Sequence, residues 1–108
     1  MNLSLRFKVY RIKKNIRKIV SEKCIEPFWI TWYGAIDINP NNLVFLIAVK
    51  TDKQKEKLLS DSLLLDKIIA VLFRYKYPYS AINEVQFWFE SQENVDKVSS
   101  GNWHNHIQ

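Results

Sequence analysis

Two apolar runs rich in β-branched and aromatic residues, 28–38 (FWITWYGAIDI) and 43–50 (LVFLIAVK), flank the tetrapeptide Asn39-Pro40-Asn41-Asn42. No other feature constrains this chain as strongly. Proline fixes φ and asparagine bonds to its own backbone, so the tetrapeptide is a turn and its flanks pair as an antiparallel hairpin. The loop is expected to be about four residues long. The second run is apolar on both faces, which predicts a central strand. Period-two alternation returns where Val85, Phe87 and Phe89 interleave with Gln86, Trp88 and Glu90, predicting a third, half-buried strand.

Helical spacing fills the gaps. Leu58, Leu59, Leu63, Leu64, Ile68, Val71 and Leu72 predict one long central helix reaching about Tyr75, with Pro78 closing it. Thr51 or Asp52 can cap its start, Gln54 stands at capping-box distance from Thr51, and Ser60-Asp61-Ser62 is the place for a kink. Val9, Ile12, Ile16, Ile19 and Val20 predict an amphipathic helix over 9–23, ended before Pro27. Leu3, Leu5, Phe7 and Val9 alternate with period two, which fits either a fourth strand or an earlier helix start. Residues 92–98 predict a short helix, and Ser99-Ser100-Gly101 turns into an aromatic tail.

The expected architecture is α+β: a small mixed sheet of three to four strands, including the hairpin, packed with the N-terminal helix and the long central helix. The second and third strands, joined through that helix, form a right-handed parallel crossover. A chain of 108 residues with 47% apolar side chains makes one domain over 1–108. Within it, 1–26 is a basic amphipathic element and 27–108 the hairpin-helix-strand body.

Several function classes find little support. No apolar run approaches the roughly 18–20 residues that span a bilayer, and the first 18 residues are too charged for a secretory signal. A lone Cys24 cannot form an internal disulfide, so a cytoplasmic protein is expected. With only Gly34 and Gly101, the chain has no glycine-rich phosphate loop, and no Cys/His set has zinc spacing. Cys24 with His104 or His106 is the one nucleophile–base pairing to consider, and Asp37 with Glu90 the one acid–base pairing. A small core thiol and two solvated strand-end carboxylates are the weightier readings. His104-x-His106 is half of a metal site with no third ligand. The expectation is a non-enzymatic protein with no catalytic residue, metal or cofactor.

The net charge of +5 is unevenly placed. Residues 1–23 carry eight basic side chains against Glu22 alone, a charge of +7, and the remainder carries eight against ten, or −2. Arg11, Lys14, Arg17 and Lys18 could contact phosphates, an anionic membrane or an acidic partner, against the bland reading of a solvated helix face. A nucleic-acid-binding protein is therefore the alternative function. The leading candidate surface is the more polar sheet face. Trp29, Thr31, Tyr33 and Asp37 alternate onto one side of the first strand, and Trp88 and Glu90 point away from the core on the third. With Glu93 just beyond, aromatics and carboxylates make the composition of a protein-binding patch, unless the N-terminal helix covers it.

Residues 28–108 resemble small bacterial immunity proteins of contact-dependent inhibition and related polymorphic toxin systems. The resemblance rests on Trp32-Tyr33-Gly34 with Asp37, Val49-Lys50-Thr51-Asp52, Tyr77-Pro78, Phe89-Glu90-Ser91-Gln92-Glu93 with Val95, and Gly101-Asn102-Trp103. It implies a stoichiometric inhibitor of a cognate toxin domain in the producing cell's cytoplasm. The +7 start departs from the acidic balance of an inhibitor directed at a basic nuclease. Joined to the patch reading, it gives a monomer or weak dimer whose partner-binding residues are Trp29, Tyr33, Asp37, Trp88, Glu90 and Glu93.

Overall fold

The hairpin forms around its turn signal, but its first strand is short. In the computed structural model, which describes residues 3–107, β1 covers Trp29–Tyr33 and β2 covers Val44–Val49. They pair antiparallel, with Trp29 opposite Ala48 and Tyr33 opposite Val44. Gly34 ends β1. Its φ of +118° favours glycine, and a Cβ there would lie 2.0 Å from the Asn42 carbonyl oxygen. The chain then curls through Ile36, whose N–H donates to Gly34 O, and through Asn39, whose side chain caps the turn Pro40–Asn42 by accepting from Asn41 N at 2.9 Å. The connection therefore runs from Gly34 to Leu43 rather than spanning four residues, and Asp37 belongs to it and not to the strand. Tyr77, almost wholly buried, donates its hydroxyl to Pro40 O at 2.5 Å and fixes this connection to the body.

The central helix is two helices, α2 (Asp52–Leu59) and α3 (Ser62–Arg74). Ser60 and Asp61 stop the first and start the second: Asp61 accepts from Leu64 N at 3.1 Å, a side-chain cap that competes with continued helix. Thr51 caps α2 by accepting from Gln54 N at 3.2 Å. The Gln54 amide does not reach back to Thr51 but donates to Lys23 O, so the box is half made. After α3 comes β3 (Gln86–Ser91), parallel to β2, and the sheet order β1-β2-β3 puts β2 in the centre as its two-faced apolarity requires. Ser91 Oγ caps α4 (Gln92–Ser99), accepting from Asn94 N at 3.0 Å. The aromatic tail continues as a short helix, α5 (Trp103–Ile107).

The N-terminal helix, α1, covers Leu3–Ser21, so the alternation from Leu3 to Val9 is helical and supplies no fourth strand among the described residues. Leu5, Val9, Ile12, Ile16 and Val20 are all buried, one every three or four residues. They share a core with Leu64, Ile68, Val71 and Leu72 of α3 and with Ile30, Phe45 and Ile47 of the sheet. Each such side chain contributes about 1.5–3 kcal/mol through burial. α1 and α3 thus lie on one face of the sheet. The register puts Trp29, Thr31, Tyr33, Leu46, Ala48, Gln86, Trp88 and Glu90 on the other.

Candidate functional site: the open face of the sheet

Alternation along β1 and β3 delivers four of the six expected partner-binding residues to one place. Trp29, Tyr33, Trp88 and Glu90 all lie on the sheet face opposite α1 and α3, so the N-terminal helix does not cover them. Tyr33 and Trp88 meet edge-on with centroids 5.9 Å apart, above the buried Leu46 that lies between their strands. The Trp88 indole donates to Gln86 Oε1 at 2.9 Å, which fixes the ring while it stays 41% exposed. Trp29 is equally exposed and carries Trp103 of α5 against its ring. Beside them is a cleft of about 350 Å³, lined by Leu46, Trp88, Phe89, Glu90, His106 and Ile107.

Glu90 is held, not free. Oε1 accepts from Lys55 Nζ at 2.9 Å and from Ser91 N at 2.8 Å; Oε2 accepts from Asn94 Nδ2 at 3.2 Å and meets His106 Nε2. Burial alone would raise its pKa, but the bonds from Lys55, His106, Ser91 and Asn94 outweigh it and pull the carboxyl down to about 2. The expected freely pairing carboxylate is thus an internal node. On the far side of the imidazole, Nδ1 lies 3.0 Å from Ser99 Oγ. A hydroxyl, an imidazole and a carboxylate in line are the parts of an activated nucleophile. Here Ser99 closes α4, where the negative end of the helix dipole would oppose an oxyanion. The chain of bonds ties α5 to the sheet.

The other two expected residues go elsewhere. Asp37 follows Gly34 out of the strand and pairs with Arg6 of α1 at 2.6 Å; the Arg6 guanidinium in turn lies 5.6 Å from the Trp32 ring centre, on the helical side of the sheet. Asp37 and Glu90 are therefore separated by the sheet and make no acid–base pair. Glu93, in the first turn of α4, accepts from Asp52 N at 2.9 Å and lines a different cleft with Glu26, Thr51 and Lys53. Cys24 is buried, its Sγ 3.4 Å from Glu26 O, and burial pushes its thiol up, away from the reactive thiolate. His104 and His106 lie two apart on a helix and face different ways. Among the described residues, no group of three His, Cys, Asp or Glu is placed to hold a metal ion.

Sequence reasoning missed Lys55, Gln92, Trp103 and His106 as parts of this site. The Trp103 indole donates to Gln92 Oε1 at 2.6 Å, and that pairing spans eleven residues with no periodic signal. The run Gly101-Asn102-Trp103 was the available hint. The chain matches no family model, no curated protein and no solved structure.

Proposed function

We propose that this protein is a non-enzymatic inhibitor, an immunity protein that binds and neutralises a cognate bacterial toxin domain in the cytoplasm through the open face of its sheet. The observation that carries the reading is that Trp29, Tyr33 and Trp88 share one face of hydrogen-bonded strands, with Tyr33 against Trp88 and Trp88 41% exposed. Large rings held on a sheet lose little freedom when a partner covers them, and aromatic anchors dominate the energetics of protein interfaces. Because Glu90 is neutralised from within, affinity comes from desolvating the rings rather than from carboxylate pairing. The resemblance to polymorphic-toxin immunity proteins, which rests on motifs such as Trp32-Tyr33-Gly34 and Gly101-Asn102-Trp103, supports the same class of partner.

The test starts from the gene next door. The reading expects that gene to encode an exoprotein with a toxic C-terminal domain, which is titrated against this chain by calorimetry and co-expressed with it in a sensitive host. A one-to-one complex together with restored growth is expected. Absence of both, with the two proteins folded, overturns the proposal.

A further inference from the structure

On the opposite side of the molecule lies a second surface of a different chemistry. Leu3–Ser21 contains seven basic side chains and no acidic one. Since Leu5, Val9, Ile12, Ile16 and Val20 face the core, the helix turns Phe7, Tyr10, Arg11, Lys14, Arg17 and Lys18 outward. Phe7 is 68% and Tyr10 58% exposed. Among the described residues none of these four cations joins an ion pair; the pairs that involve the N-terminal segment are Arg6–Asp37 and Lys23–Asp61 at its margins.

The tertiary structure widens the stripe. A groove of about 390 Å³ between α1 and α3 is lined by Lys18 and Asn15 on one wall and by Lys67 and Arg74 on the other, with Glu22 its one carboxylate. On the other flank, Tyr10 shares a cleft with Lys13, Lys14 and Arg17, and Lys14 Nζ lies 5.5 Å from the Tyr10 ring centre. The surface thus sets exposed rings among unneutralised cations over a length of about 17 Å, from Phe7 to Lys18.

We propose that this surface binds single-stranded nucleic acid, with Arg11, Lys14, Lys18, Lys67 and Arg74 on phosphates and Tyr10 as a stacking platform for a base. Charge complementarity selects a polyanion, and the exposed rings select one whose repeating units have flat faces. A lipid surface fits less well: the apolar stripe of α1 is sealed in the core, leaving only two rings to enter a membrane. The surface lies on the far side of the helical layer from Trp88, so it is independent of the toxin reading.

The experiment is fluorescence anisotropy of a labelled 20-nucleotide oligouridylate, repeated from 50 to 300 mM salt. Five phosphate contacts predict a slope of log K against log salt of about −3.5. Lys67→Gln with Arg74→Gln is expected to shallow it by about 1.4. Tyr10→Ala should weaken binding by about 5- to 150-fold, with Tyr10→Phe restoring it. Lys53→Gln with Lys57→Gln on α2 should leave it unchanged. All of these positions are at the surface, and circular dichroism checks each variant. No binding at 50 mM salt overturns the proposal, as does an unaltered slope in the Lys67/Arg74 variant. Equal binding of a duplex with indifference to Tyr10→Ala removes the single-strand assignment, and capture by phosphatidylserine vesicles without oligonucleotide binding replaces it with a membrane surface.

Discussion

The indole of Trp103 stands edge-on to that of Trp29, centroids 4.9 Å apart and planes inclined by 67°. This contact, with His106 on Glu90 and Trp103 Nε1 on Gln92, seats α5 on the sheet. A helix of five residues cannot hold its shape alone, so its order is borrowed from these partners. Trp103→Ala should release it, at a cost of about 2 kcal/mol for a half-buried ring. Hydrogen exchange is the check: amides of residues 103–107 should lose protection while those of β2 keep theirs. Retained protection in α5 would show that Trp103 is not its anchor.

Trp88→Ala should fold normally, because the side chain is outside the hydrophobic core cluster, and should weaken the proposed toxin complex by about 2–4 kcal/mol, roughly 30- to 1000-fold. Asp37→Ala and Glu93→Ala, which lie off the sheet face, should change affinity by less than about threefold. Surface plasmon resonance on the three variants separates the outcomes. If Glu93→Ala is costly and Trp88→Ala silent, the contact surface is the cleft at the start of α2 and not the open sheet face.

The pH dependence of stability has a definite sign. Glu90 is held at about 2 against an ordinary 4.5, so the folded state prefers its ionised form. Its contribution is fully present above pH 4.5 and is lost as pH falls from there through 2. At 1.36 kcal/mol per pH unit the total is about 3 kcal/mol. Asp52, drawn below its ordinary value by Ser91 and then Lys97, acts in the same direction. Urea denaturation at pH 7, 4 and 3 should show the decline, and Glu90→Gln should be less stable at pH 7 with a flatter profile. An unchanged profile in that variant would falsify the assignment.

Gly34→Ala should be among the most damaging single changes outside the core. The new methyl group meets a backbone carbonyl at 2.0 Å, where nothing flexible can give way, and φ there is already unfavourable for an alanine. A loss of about 3 kcal/mol or more is expected by chemical denaturation. Gly101→Ala is the comparison: its nearest neighbour is the Asp96 carboxylate at 3.2 Å, an exposed side chain that can move, so the loss should be smaller.

Local chemistry determined much of this protein. Runs of β-branched and aromatic residues located β1 and β2, apolar periodicity located β3 and the buried stripe of α1, and Thr51 announced the cap of α2, because composition, burial pattern and capping depend on residues near one another in the chain. The two-faced apolarity of residues 43–50 announced the central strand. What the sequence left open were matters of three-dimensional juxtaposition. Gly34, one residue of a longer strand by sequence, ends it because its backbone leaves the extended region at φ +118°, where the Asn42 carbonyl leaves no room for a side chain, and so Asp37 reaches Arg6 instead of the sheet face. Asp61 splits the central helix because capping Leu64 N satisfies a donor that an unbroken helix would have bonded to a carbonyl. Glu90 changes from an expected free charge to a held one because Lys55, Asn94 and His106 converge on it from three helices. Which sheet face is left clear of α1 and α3 followed from both helices burying their apolar stripes on the other one, a contact between elements far apart in sequence.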